Sequence, residues 1–69
     1  MSDVLLVWTE SDTVAAIFPA DDAEAAYSWA DRELRGKTVN CTLCCSYSDA
    51  VYAAKLIGKE VVKMGKEKQ

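Results

Sequence analysis

DDAEAAYSWADRELRG, residues Asp21 to Gly36, is the stretch whose reading decides the fold, because its start, its apolar stripe and its stop are all marked. Asp21 stands at an N-cap position, and Glu24 three places on completes a capping box in which each side chain bonds the other residue's free backbone N–H. Asp22 and Glu24 place negative charge in the first turn, where the helix dipole favours it. Arg32 and Arg35 fall in the last turns, and Gly36 takes the left-handed stop position. Between these ends Ala23, Ala26, Tyr27, Ala30 and Leu34 recur at helical spacing, a stripe wide enough to lie on a sheet. Trp29 falls roughly 100° from the centre of that stripe. That makes it the first candidate for a contact residue, the plainer expectation being that its ring folds back over the rim of the core.

Upstream of the helix, Val4-Leu5-Leu6-Val7-Trp8-Thr9 is a continuous, β-branched-rich run, the pattern of an interior strand with both faces covered. Glu10-Ser11-Asp12 supplies turn formers, and Thr13 to Phe18 resumes the apolar pattern until Pro19 ends it, which predicts a β-hairpin. Downstream, Lys37 to Ser46 alternates, with Val39, Cys41, Leu43 and Cys45 facing one way and Thr38, Asn40, Thr42 and Cys44 the other, as in a strand with one wet face. Ser48 is the expected cap of a second helix, with Ser46 and Asp49 as alternatives. That helix either runs on to about Met64 or stops at Gly58 and gives way to a strand over 59–64. The second is favoured, because Gly58-Lys59-Glu60-Val61 echoes Gly36-Lys37-Thr38-Val39 and glycine inside a helix costs about 1 kcal/mol.

The whole chain, 1–69, therefore reads as one small α+β domain, two-layer ββαβαβ, with both helices on one face of a three- or four-stranded mixed sheet. The expected strand order is 2-1-3-4, and residues 65–69 are expected to be a frayed tail. The opposite face of such a sheet has no helix to cover it. Leu5, Val7, Ala15 and Ile17 are then the expected interface of a homodimer, since apolar surface left open marks an interface. Chain length points the same way, because domains below about 70–80 residues usually draw extra stability from disulfides, a metal or a partner.

Charge is divided along the chain. Residues 1–35 hold eight acids against Arg32 and Arg35, a net of −6, and residues 36–69 hold six lysines against three acids, a net of +3. An acidic first half can steer a basic partner, although the same acids have ordinary duties at helix starts and in turns. The longest apolar run near the N-terminus is Val4 to Trp8, too short for a secretory leader or a membrane span, and a cytoplasmic protein is expected.

Little here suggests chemistry. The chain has no histidine, no phosphate loop and no evident pair of carboxylates, so no enzyme activity and no cofactor are expected. Cys41, Cys44 and Cys45 form a C-x-x-C-C cluster, but in a strand Cys41 and Cys44 lie about 10 Å apart and on opposite faces, outside disulfide reach. Three thiols also fall short of the four ligands of structural zinc. Small half-buried thiols are the expectation, with regulatory oxidation of Cys44 or a metal shared between molecules as the alternative. Lys55, Lys59, Lys63, Lys66 and Lys68 could meet phosphates, yet Glu60 and Glu67 interrupt them in an acidic chain of pI about 4.7, so nucleic-acid binding is not expected.

The leading expectation is a non-enzymatic protein-interaction module, a small accessory or inhibitor protein of the kind phages also make. It would engage a partner protein through an acidic, tryptophan-bearing surface of Trp29, Trp8, Asp21, Asp22, Glu24 and Tyr47. A homo-oligomer binding a small ligand or nucleotide at its subunit junction is the alternative from another class, and a thiol redox or metal protein is the weaker one.

Overall fold

The computed structural model describes residues 3–65. Its elements run β1 (Val4–Trp8), β2 (Val14–Pro19), α1 (Ala23–Glu33), β3 (Asn40–Cys44), α2 (Tyr47–Leu56) and β4 (Glu60–Met64), the ββαβαβ order of an α+β domain. The four strands form one mixed sheet in the order β3-β1-β2-β4, with β1 antiparallel to both neighbours and β2 parallel to β4. β1 is an interior strand, as its unbroken apolar run requires. The order differs from the expected 2-1-3-4 because β2, as continuously apolar as β1, is also placed inside and receives β4 along its far edge.

The layering also differs from the expected one. Val7, Ala16 and Phe18 pack with Ala26, Trp29, Ala30 and Leu34 around α1, whereas Val4, Leu6, Ala15 and Ile17 pack with Ala50 and Ala54 of α2. Successive strand side chains point to opposite faces, so each face of the sheet carries one helix. Crossover direction explains this. The β2-to-β3 connection passes over β1 toward one edge, and the β3-to-β4 connection returns across the sheet to the other. Right-handed crossovers that travel in opposite directions leave their helices on opposite sides.

The consequence for the expected dimer face is direct. Val7, Ala15 and Ile17 are no more than 1% exposed and Leu5 is half-buried, each beneath one of the chain's own helices. Val7, Ala15 and Ile17 are core and are not available to a second molecule, and Leu5 packs against the α1 core with part of its surface open.

α1 begins one residue later than the sequence suggests. The backbone N–H of Asp22 donates to the Pro19 carbonyl at 3.0 Å, so Asp21 sits in a tight turn and Asp22 becomes the cap. The buried stripe is turned as well: Ala26, Trp29, Ala30 and Leu34 are covered while Tyr27 is 70% exposed. Both stripes satisfy helical spacing. The one observed buries the larger indole, whose ring meets Phe18 at 6.3 Å and 56°, and leaves the Tyr27 phenol in water. At the far end Gly36 has φ 78° and stops the helix as expected.

α2 is capped by Ser46, whose hydroxyl accepts the Asp49 N–H at 3.1 Å. It stops before Gly58, at φ 74°, and β4 follows, so the shorter of the two readings of this segment is the observed one. Ala50 and Ala54 are wholly buried, which brings α2 close to the sheet. Gly65 continues the pairing beyond β4: its N–H donates to Ile17 O at 2.7 Å and its carbonyl accepts the Tyr47 hydroxyl at 2.7 Å. Gly65, expected as the first residue of a frayed tail, is thus tied to the sheet, and 66–69 lie outside the described residues.

The two Gly-Lys pairs share one task. Lys37 Nζ meets the Asp12 carboxylate at 2.6 Å, and Lys59 Nζ donates to the carbonyl oxygens of Asp12 at 2.6 Å and Glu10 at 3.3 Å. Lysines placed just after the two helices therefore hold the β1–β2 turn from both sides. The Lys37 contact, helped by the Thr13 N–H, keeps the Asp12 carboxyl below its ordinary value of 3.8. A depressed carboxylate stabilises the fold above its unfolded pKa, and that contribution is lost as pH falls through the lower, native value. Acid titration of the wild type against Asp12→Asn, followed by circular dichroism, is expected to show a stability gap that is full at neutral pH and closes below about pH 4. A gap independent of pH would mean that this ion pair contributes nothing through charge.

Candidate functional site

The sheet has two edges, and they are built differently. β4 carries Glu60 and Lys63, and a register irregularity opposite Ala15/Ala16 bends it; charge and bulges are what discourage a free edge from pairing with other chains. β3 carries neither. From Thr38 to Ser48 the chain has no charged residue, no proline and no glycine, and β3 pairs with β1 on one side only.

The face of β3 toward α1 is also uncovered. α1 rests on β1 and β2, and between it and β3 runs an open groove lined by Tyr27, Asp31, Leu34, Lys37, Val39 and Cys41, among others. Beyond the groove Leu43 is 62% exposed. Leu43 pairs with Leu5 and Cys41 with Val7, both strand residues of the α1 side, so Cys41 and Leu43 share that face with the groove. The apolar row expected to face inward is therefore the outward one, and it is Cys44 that packs inward, against the α2 cluster. The reason is coverage: α2 spans to β3, whereas α1 does not reach it.

The tryptophan-bearing surface expected from the sequence is not assembled. Trp29 is 5% exposed inside the α1 core. Trp8 is half-buried against the α2 core at the opposite end of the sheet from α1's start, with Lys59 Nζ 5.8 Å from its ring centre in a cation–π contact. Tyr47 is half-buried and bonded to Gly65. Asp21, Asp22 and Glu24 do stand together at the start of α1, with Asp21 and Glu24 exposed and Asp22 half-buried, but neither indole joins them.

Cys41 and Cys45 are exposed free thiols and Cys44 is partly buried. Burial, with Asp49 and Cys45 adding to it, pushes the Cys44 thiol up, away from the reactive thiolate that a regulatory cysteine needs. Among the described residues no three metal-capable side chains are gathered. On the α2 side a shallow hollow between α2 and β4 is lined by Tyr47, Ser48, Val51, Tyr52, Lys55 and Met64. No helix among the described residues is long and apolar enough to cross a membrane.

Tyr27, Val39 and Leu43 were not singled out by sequence reasoning as a site. The signal that could have found them is the eleven-residue neutral run Thr38 to Ser48, because an edge strand without a charged gatekeeper is exceptional. Compared with known protein families, curated proteins and solved structures, the chain gives no significant match, and the site is read from its own residues.

Proposed function

We propose that this chain is a non-enzymatic protein-interaction module, of the sort that serves as a small accessory or inhibitor protein, and that it binds through β3 and the groove beside it. One observation carries the reading: a neutral, bulge-free edge strand lies next to an exposed apolar row of Tyr27, Val39, Cys41 and Leu43. Main-chain pairing along an open edge supplies affinity, and side chains on one face of that edge supply choice of partner. The acidic start of α1, whose Glu24 stands one turn before Tyr27, serves, on this reading, to steer encounter with a basic surface.

The test is a substitution that alters the edge without touching the core. Leu43→Lys replaces a 62% exposed side chain, so folding stability should move by no more than about 0.5 kcal/mol. Binding to any partner isolated on the wild-type protein should fall about 30-fold or more, as for a central interface residue. Asp21→Lys, outside the row, should change that affinity less than about threefold at physiological salt. Equal binding by wild type and Leu43→Lys would refute the assignment of the surface.

A second reading has its own observation. The hollow bearing Tyr47, Tyr52, Lys55 and Met64 offers two phenol rings, a thioether and an ammonium to a small planar anion. A thermal-shift screen with nucleotides decides it, since a ligand of the folded state raises the midpoint.

A further inference from the structure

We infer that the occupant of the β3 edge is a second copy of this chain, paired antiparallel about Cys41 so that two four-stranded sheets become one of eight. The inference rests on the interaction reading above and names its partner. Its basis is that the edge is complementary to itself. With the two-fold axis through Cys41, Val39 of each copy faces Leu43 of the other, and the two Cys41 side chains face each other, all on the α1 side. On the other side Asn40 of each copy faces Thr42. Every apolar residue of the row meets an apolar residue, and every polar one a polar one.

Charge permits this pairing. The chain as a whole carries −3, which opposes self-association, but the contacting segment Thr38 to Ser48 is neutral, so no like charges are brought into register. At β4 the same two-fold operation would set Glu60 and Lys63 into the new interface and would have to straighten the irregular stretch beside Ala15/Ala16. Coverage favours β3 as well. A two-fold axis normal to the sheet puts both α1 helices on one side, flanking a floor made of the two Val39–Cys41–Leu43 rows. Tyr27, 70% exposed on each helix, then stands at the margin of a shared trough with an apolar floor instead of a free surface. The isologous arrangement closes on itself and leaves only the charged β4 edges open, so it makes a dimer and not a filament.

The experiment uses the full chain. Sedimentation velocity from about 10 to 500 µM is expected to show a concentration-dependent monomer–dimer equilibrium in the wild type. Leu43→Lys, still folded by circular dichroism, should remain monomeric throughout. Cross-strand neighbours have Cα atoms about 4.5–5.5 Å apart, within the window of a disulfide. Copper–phenanthroline and oxygen should therefore join two Cys41 thiols, the two protons and two electrons passing to the oxidant. That cross-link should persist in a Cys44→Ser/Cys45→Ser double variant and vanish in Cys41→Ser. A monomer at every concentration, or a cross-link unaffected by Cys41→Ser, overturns the inference. In the first case, a foreign partner whose binding still depends on Leu43 overturns only the second copy as occupant, whereas binding indifferent to Leu43 overturns the interaction surface too.

Discussion

Trp29→Ala is expected to unfold most of the protein at 37 °C. The indole is 5% exposed, packs at a tilt on Phe18 and completes the apolar layer between α1 and the sheet. Truncating a buried tryptophan costs about 3–5 kcal/mol. A domain of this length has roughly 3–10 kcal/mol in all, at about 0.05–0.15 kcal/mol per residue. The loss is thus comparable to the whole stability. Urea denaturation at 15 °C, followed by far-ultraviolet circular dichroism, measures it. If the variant melts within a degree or two of the wild type, the ring lies outside the core and the tryptophan-bearing contact surface returns as an explanation.

Ala54→Leu is the second large effect, and it acts on the other face. Ala54 is 0% exposed and, with Ala50, sets how closely α2 approaches Val4, Leu6, Ala15 and Ile17. Forcing extra methylenes into a close contact of this kind costs about 1–3 kcal/mol. The α1 and α2 clusters share no residue, so milder substitutions on the two faces, Trp29→Phe and Ala54→Val, should add to within about 0.5 kcal/mol. Coupling larger than that would indicate one continuous core, as expected of two helices side by side on a single face.

The elements were legible because each is marked locally. Val4 to Trp8, the Pro19 stop, the left-handed Gly36 and Gly58, and the repeated Gly-Lys pairs all mean in the structure what they mean in the sequence. What the sequence left open was nonlocal. Periodicity allowed two stripes on α1, through Tyr27 or through Trp29, and only the presence of Phe18 beneath the helix decides between them. Nothing local states which edge β4 joins, and that choice sends α2 to the far face and buries Ala15 and Ile17, two of the four residues expected to form a dimer surface. The exposed row on β3 went unread for the same reason. Val39, Cys41 and Leu43 alternate correctly for a buried row, and their exposure follows from α1 stopping short of β3, which no spacing within β3 reveals.

An edge so bare of charge would ordinarily endanger a protein, because open strands template aggregation. Here it is short, five residues, and its neighbours at both ends are charged: Arg35 and Lys37 before, Asp49 after. Such flanks admit a matched partner while limiting how far pairing can spread.

Dilution-dependent amide chemical shifts read the proposed pairing of β3 with a second copy residue by residue. Between about 20 and 500 µM, shifts should move at Val39 to Leu43 and at Tyr27, with β4 and the α2 hollow unchanged. Movement confined to Glu60–Met64 or to Tyr52 and Lys55, or a spectrum that does not change with concentration, would contradict it.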